Sequence, residues 1–344
     1  MEEPRFRPTR SRTVVATVEA HTAGEPLRVV TAGAPPIPGD TIPAKRRWAR
    51  AHLEGFRRAL LWEPRGHADM YGALLTDPVT PDGDAGVLFM HNEGWSTMCG
   101  HGVIALATVL VETGMLPAPA EGERVIRLDT PAGRVTARAS LSRGRVERVS
   151  FLNVPSFVLA RDREVEVPGR GRVRYDVAFG GAFYALVEAR DLGLALEPGA
   201  VGRLVEAGRA VTRAVAGTLE IRHPFEPDLG FLYGTIFTGP PADPAHHSRN
   251  VCVFADGEVD RSPTGTGVSA RAALHFARGA LGPGEPFVVE SLIGTCMTGR
   301  VKEETRFGPH AAVLPEVTGR AFLTGRCEWW IDPEDPLREG FFLR

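Results

Sequence analysis

Residues 99–107 read Cys-Gly-His-Gly-Val-Ile-Ala-Leu-Ala, and residues 264–272 read Thr-Gly-Thr-Gly-Val-Ser-Ala-Arg-Ala. Both segments fit the template X-Gly-x-Gly-Val-x-Ala-x-Ala, and each follows an apolar run whose phenylalanine, Phe89 or Phe254, lies ten positions before its first residue. A strand, a glycine turn and a helix start therefore occur twice, which predicts two similar half-molecules facing each other. The two copies differ at their first residue, where Cys99 carries a thiol and Thr264 a hydroxyl.

The composition is typical of a globular protein with two domains. The chain has 344 residues, 43% of them hydrophobic, and a formal net charge of -2, so no charge bias favours nucleic acid or an anionic membrane. No apolar run approaches the ~20 residues that span a bilayer.

The polar residues 1–13 lack the apolar core of a signal peptide, and we expect a frayed start there. The four cysteines are sparse and form no CxxC pattern, which argues against disulfides and structural zinc and predicts a reducing cytoplasm.

Hydrophobic periodicity predicts two α/β halves, each wrapping a sheet around one buried helix. Helices are expected over 46–60, 103–112, 198–218 and 268–278, separated by strand-like runs such as 13–20, 86–90 and 250–255. We expect residues 1–154, with Cys99, to form the first half and residues 155–318, with Thr264, the second. Periodicity leaves open whether the strand-like segment 319–344 returns to the first half.

Cys99 lies where a helix begins, a position at which unpaired N–H groups and the helix dipole lower a thiol's pKa. Gly100 and Gly102 let backbone N–H groups approach an anion closely. An isolated cysteine is more often a small buried hydrophobe. The glycines, the neighbouring His101 and the duplicated segment favour a functional thiol here, whereas Cys252, Cys296 and Cys327 lack such surroundings.

Two further polar residues belong to the same motifs. His101 is expected to bind a substrate or to tune the thiolate, and Asp260, four positions before Thr264, is expected to pair with a cationic amine. An ordinary N-cap role beside Ser262 is the structural alternative for Asp260. The histidines are scattered without HxH or HExxH spacing, so no metal site is predicted.

Residues 98–102, Met-Cys-Gly-His-Gly, and residues 260–267, Asp-Arg-Ser-Pro-Thr-Gly-Thr-Gly, together resemble the proline racemase family. Further matching stretches are residues 21–26, 64–72, 129–133 and 290–294. The resemblance implies a diaminopimelate-epimerase-like fold with two pseudo-symmetric domains, each a sheet wrapped around a central helix. It also implies a substrate in the cleft between them and no need of pyridoxal phosphate, metal or another cofactor.

In racemases and 4-hydroxyproline epimerases of this family, two cysteines flank the substrate Cα and exchange protons with its two faces. The resemblance implies that the substrate carboxylate meets backbone N–H groups around Gly100, His101, Gly265 and Thr266. The ring nitrogen would meet His101 and Asp260.

The chain departs from the racemase pattern at Thr264, which replaces the second cysteine. A neutral threonine hydroxyl is a far weaker acid than a thiol, so racemisation through both faces is disfavoured. A Cys/Thr pair resembles the branch of the family that dehydrates trans-3-hydroxy-L-proline to Δ1-pyrroline-2-carboxylate. In that substrate the 3-hydroxyl is cis to the Cα hydrogen, so one thiolate on one face can serve both groups.

Two alternatives stay open at this point. A proline racemase or 4-hydroxyproline epimerase could use a water assisted by Thr264 in place of the second thiol. A non-catalytic binder of proline-like amino acids belongs to another class, although the intact Cys99, His101 and Asp260 argue against decay. The predicted partner is a small imino acid, with a homodimer left open.

Overall fold

The computed structural model describes residues 12–343. Most of the predicted frayed start, residues 1–11, lies outside this range. No helix within the described range has the length and apolarity that crossing a membrane requires.

The described residues form five α-helices. They are α1 (Ile42–His52), α2 (Glu54–Leu61), α3 (Gly100–Glu112), α4 (Val201–Ala216) and α5 (Gly265–Ala277). The single helix predicted over 46–60 is wrong, because Leu53, at φ -116° and ψ 16°, separates α1 from α2. Ala49 of α1, Leu60 of α2 and Leu53 between them are buried in one apolar cluster, so the hydrophobic pattern continues through the break and conceals it.

The described residues also form eighteen strands. They are β1 (Thr13–Thr22), β2 (Glu25–Ala32), β3 (Tyr71–Thr76), β4 (Ala85–His91), β5 (Gly94–Trp95), β6 (Gly122–Thr130), β7 (Gly133–Ser142), β8 (Arg145–Leu152), β9 (Ser156–Val167), β10 (Gly171–Phe179), β11 (Phe183–Glu188), β12 (Leu232–Gly239), β13 (Ser248–Phe254), β14 (Glu258–Asp260), β15 (Pro286–Glu290), β16 (Cys296–Phe307), β17 (His310–Gly319) and β18 (Ala321–Ile331).

Strand pairing repeats between the halves. In the first half β2 runs parallel to β3, β3 antiparallel to β4, and β4 parallel to β6. In the second half β11 runs parallel to β12, β12 antiparallel to β13, and β13 parallel to β15. Each half places its buried helix after a short hairpin, β4–β5 before α3 and β13–β14 before α5. The duplicated sequence segment therefore belongs to a duplicated architecture.

The two equivalent helices form the centres of the halves. Every residue of α3 from Gly100 to Val111 is buried, and α3 packs against β1, β2, β7, β8 and β18. Helix α5 packs against β9, β10, β16 and β17. Each fully buried Val, Leu or Ile contributes roughly 1.5–3 kcal/mol, so these helices anchor their sheets.

The last strands connect the halves. Strand β17 pairs with both β8 and β9, and β18 pairs with β1 from Thr13↔Ile331 to Thr22↔Ala321. We propose a boundary between the halves at residues 154 and 155. The pairing of β18 with β1 supports assigning that strand to the first half.

Candidate active site

The N-terminal ends of α3 and α5 meet at the centre of the molecule. A Cβ atom added to Gly100 would lie 2.6 Å from the Cα atom of Gly265, and one added to Gly265 would lie 2.9 Å from the Cα atom of Gly100. Such separations are too short for any larger residue, so glycine at both positions permits the contact. The positive ends of two helix dipoles thus meet at one place, which favours an anion there.

A small cavity of about 20 Å³ lies at this meeting point. The structure places all seven residues predicted for the site in its lining: Cys99, Gly100, His101, Asp260, Thr264, Gly265 and Thr266. Six further residues complete the lining: Tyr71, Met98, Tyr184, Tyr233, Cys252 and Phe254. Both halves contribute to it.

Cys99 caps α3, and its Sγ atom accepts a hydrogen bond from the Gly102 N–H at 3.2 Å. The His101 ring lies beside the thiol, with Nδ1 3.3 Å and Nε2 3.4 Å from Sγ. Burial raises the pKa of the Cys99 thiol well above its ordinary value, and this effect outweighs the lowering by the Gly102 N–H. The helix start therefore lowers this pKa as expected, but the net shift is upward, against the prediction, because the thiol is almost fully removed from water.

His101 is buried between the thiol and Asp260, with its Nδ1 atom 4.0 Å from Asp260 Oδ2. Burial lowers the pKa of His101 to about 4, although Asp260 and a hydrogen bond with the Pro26 backbone act in the opposite direction. The imidazole is consequently neutral at neutral pH. The Tyr71 ring packs edge-on against it, with the ring centroids 4.8 Å apart.

Asp260 ends β14 and points one oxygen into its own turn, where Oδ1 accepts the Ser262 N–H at 2.8 Å. This bond closes a turn before α5 and does not cap the helix, whose N-cap is Thr264, so the N-cap alternative is wrong. The other oxygen, Oδ2, is the one nearest to His101. Asp260 therefore combines a turn-forming role with a position in the cavity.

Thr264 occupies the position of Cys99 in the second half, but its backbone differs. Its φ of +65° lies in the left-handed region, which β-branched residues rarely adopt. Its N–H donates to Ser262 Oγ at 3.1 Å, while its buried Oγ1 makes no well-formed hydrogen bond among residues 12–343 and interacts only weakly with the Cys252 thiol. A buried hydroxyl without a well-formed hydrogen bond is available to a ligand.

Sequence reasoning missed three tyrosines and one cysteine of the lining. The Tyr71 and Tyr233 hydroxyls, one from each half, lie 2.6 Å apart, and the Tyr184 hydroxyl lies 2.7 Å from Thr266 Oγ1. Cys252, assigned a structural position, is buried but also lines the cavity. Tyr71 falls in a stretch that carried the family resemblance, and a buried phenol needs a partner, so this signal was present in the sequence.

No group of three or more His, Cys, Asp and Glu side chains within the described range is arranged to hold a metal ion.

The chain belongs to the proline racemase family: the sequence model described as "Proline racemase" matches residues 17–342. The fold is of the diaminopimelate-epimerase type. A solved hydroxyproline epimerase from Agrobacterium vitis, with bound trans-4-hydroxy-L-proline, superposes with a TM-score of 0.90 at 35% identity over 96% of each chain.

Among curated relatives, a human trans-3-hydroxy-L-proline dehydratase is 48% identical over 99% of this chain and 98% of its own length. A protein of the same name from Colwellia psychrerythraea is 47% identical over 96% of this chain and 93% of its own. A 3-hydroxyproline 2-epimerase from Burkholderia multivorans is 46% identical over 96% of this chain and 98% of its own.

Proposed function

We propose that this protein is a hydro-lyase that dehydrates trans-3-hydroxy-L-proline to Δ1-pyrroline-2-carboxylate. The observation that carries the proposal is the pair formed by Cys99 and Thr264, at two facing helix starts in one cavity. The names of its relatives in human and Colwellia psychrerythraea support the same reaction.

In the proposed reaction Cys99 is the general base. The thiolate takes the Cα proton, the electron pair of that bond forms the C2=C3 double bond, and the C3–O bond breaks. Because the 3-hydroxyl is cis to the Cα hydrogen, the Cys99 thiol can return the proton to the departing hydroxide, which leaves as water. The enamine product tautomerises to the Δ1 imine, and no oxidant or reductant is required.

The backbone of the helix starts would bind the substrate carboxylate. The N–H groups around Gly100, His101, Gly265 and Thr266 lie where two positive dipole ends meet. As Cα loses its proton, the carboxylate gains enolate character, and preorganised donors stabilise that charge. The proposed mechanism therefore uses no cofactor.

His101 and Asp260 would bind the imino nitrogen. A neutral imidazole accepts one N–H of the cationic nitrogen, and the Asp260 carboxyl accepts the other. The incoming positive charge also favours the thiolate form of Cys99, whose pKa burial otherwise raises. Substrate binding and activation of the base are thus coupled.

Thr264 would contact the substrate through a hydrogen bond rather than act as a second acid. Its hydroxyl is a poor proton donor to carbon, yet its Oγ1, which makes no well-formed hydrogen bond within the described residues, can hydrogen-bond the substrate. We further propose a reducing cytoplasm as the compartment, which the four free cysteines support.

A second candidate is a 3- or 4-hydroxyproline epimerase. The cavity-lining thiol of Cys252 and the name of the Burkholderia multivorans relative favour it. It would invert Cα without loss of a hydroxyl.

The test is turnover of trans-3-hydroxy-L-proline by the purified protein, with the imine detected by o-aminobenzaldehyde. Imine formation supports the dehydratase. Recovery of an inverted substrate without imine supports the epimerase. Tight binding without either product contradicts both and leaves the non-catalytic binder.

A further inference from the structure

The hairpin between β1 and β2 carries a buried acid that the proposed mechanism does not use. Glu25 is fully buried, and its Oε2 accepts the Arg261 N–H at 2.7 Å and the Arg261 Nη1 at 3.3 Å. Its Oε1 has no hydrogen-bond partner in the part of the chain that the structure describes. Glu25 belongs to the first half, whereas Arg261 directly follows Asp260 in the second, so the contact joins the halves beside the site.

The Asp260 backbone is held on both sides by acceptors of the first half. The preceding residue, Val259, donates its N–H to Asp69 Oδ1 at 3.2 Å, and the following residue, Arg261, donates to Glu25. The Arg261 guanidinium also donates to the Asp69 carbonyl at 2.9 Å. Asp260 is therefore fixed relative to the first half, although it belongs to the second.

The same hairpin also contacts His101. Thr22 Oγ1 donates to the His101 carbonyl at 2.8 Å, and the Pro26 backbone forms a hydrogen bond with the His101 ring. Residues 22–26 thus contact His101 directly and hold Asp260 through Arg261. These are the two groups proposed to bind the imino nitrogen.

We infer that Glu25 is a positioning residue: by accepting the Arg261 N–H, it sets the separation of Asp260 from His101 and so governs binding of the substrate nitrogen. The inference deepens the proposed function and rests on it. The position of the Glu25 carboxyl oxygen decides this effect, because its hydrogen bond with the Arg261 N–H weakens steeply when the two atoms separate.

The surroundings of Glu25 are compatible with a neutral acceptor. Burial, followed by the negative charge of Asp260, raises the pKa of Glu25 well above its ordinary value, against the opposing effect of Arg261. A neutral carboxyl still accepts hydrogen bonds through its carbonyl oxygen. A glutamine at this position would therefore keep the acceptor, whereas an aspartate would keep the carboxyl group but withdraw the acceptor by one methylene.

The experiment compares KM and kcat for trans-3-hydroxy-L-proline in Glu25→Asp, Glu25→Gln and the wild type. For Glu25→Asp we expect KM to rise on the order of tenfold with kcat within about threefold, because a binding group is displaced. For Glu25→Gln we expect KM within about threefold of the wild type, since the acceptor is kept. Thermal unfolding of each variant is followed in parallel.

Glu19→Asp is the matched control. Glu19 accepts the Arg28 Nε at 2.9 Å inside the first half, and it does not line the cavity. Its variant should keep the wild-type KM.

Three outcomes contradict the inference. One is an unchanged KM in Glu25→Asp, and another is a larger rise of KM in Glu25→Gln than in Glu25→Asp, which would make charge the deciding property. The third is an equal rise of KM in Glu19→Asp. Absence of imine formation by the wild type would instead contradict the proposed function, and the positioning role with it.

Discussion

The two helix starts share one backbone plan but differ in what they present to the cavity. Cys99 has an extended backbone, at φ -141°, and its side chain caps α3 through the Gly102 N–H. Thr264 has φ +65°, makes no side-chain cap of α5, and buries a hydroxyl that makes no well-formed hydrogen bond among the described residues. The comparison teaches that the two helix starts are not chemically equivalent. The first places the titratable thiol of Cys99 beside His101, whereas the second places the non-titrating hydroxyl of Thr264 in the same cavity.

The strained backbone of Thr264 deepens this difference. A β-branched residue in the left-handed region costs about 1–3 kcal/mol and persists where neighbouring contacts impose it. Those contacts are the Thr264 N–H to Ser262 Oγ, at 3.1 Å, and the Val268 N–H to the Thr264 carbonyl, at 2.7 Å. The position of the Thr264 side chain is thus held by its own turn.

Replacing the thiol should have the largest effect. We expect Cys99→Ser to lower kcat/KM for trans-3-hydroxy-L-proline by roughly 10³-fold or more, because a hydroxyl is a far weaker acid than a thiol. The o-aminobenzaldehyde assay measures this. Cys327→Ser, in the half-buried β18, is the matched control and should keep its activity. A greater loss in Thr264→Val than in Cys99→Ser would reverse the proposed roles of the two helix starts.

The close approach of the helices can be broken at Gly100. In Gly100→Ala the new methyl group would lie 2.6 Å from the Gly265 Cα atom, and we expect a loss of about 1–3 kcal/mol in the free energy of unfolding. Gly202→Ala in α4, where a Cβ meets nothing within 4 Å, is the control and should stabilise by about 0.4–1 kcal/mol. Urea unfolding measures both, and equal effects of the two substitutions would mean that the helix starts are not in contact.

The buried His101 predicts a dependence of stability on pH. Its pKa falls from the ordinary value of 6.5 to about 4 in the folded state. Because the unfolded chain has the higher pKa, it takes up a proton at this histidine before the folded protein does. The folded protein is therefore fully stable above the unfolded pKa and loses stability as the pH falls toward the folded pKa. Between pH 7 and pH 5 we expect the wild type to lose roughly 2 kcal/mol more than His101→Gln. Parallel losses in the two proteins would show that this imidazole is not protected from protonation.

Restoring a second thiol should give the smallest signal. In Thr264→Cys an acid lies opposite Cys99, and we expect inversion of Cα at about 1–10% of the rate of dehydration. Thr264→Ser is the control, because it keeps the hydroxyl. Chiral chromatography of the recovered substrate measures inversion, and its complete absence in Thr264→Cys would contradict the role assigned to Thr264.

Local chemistry made much of the site predictable. A glycine turn before an apolar helix is a short-range pattern, so the sequence indicates Cys99 and Thr264 as the first residues of two equivalent turns. The helices themselves begin at Gly100 and Gly265, three residues before the predicted 103 and 268. The contacts that complete the site join distant positions: Tyr71 and Tyr233 are 162 residues apart, and Glu25 and Arg261 are 236 apart. No short-range pattern predicts such pairs.

The direction of the Cys99 pKa shift was missed for a related reason. The helix start is visible in the sequence, but the burial that outweighs it depends on tertiary packing around α3. The break at Leu53 was missed because both flanking helices bury apolar residues in one cluster.

The central claim is that proton chemistry takes place on the Cys99 side alone. NMR of trans-3-hydroxy-L-proline incubated with the wild-type protein in heavy water follows dehydration and inversion of Cα in one experiment. The account predicts loss of the C3 hydroxyl and growth of the pyrroline signals, without accumulation of the inverted, α-deuterated epimer. Accumulation of that epimer with its 3-hydroxyl retained would contradict it.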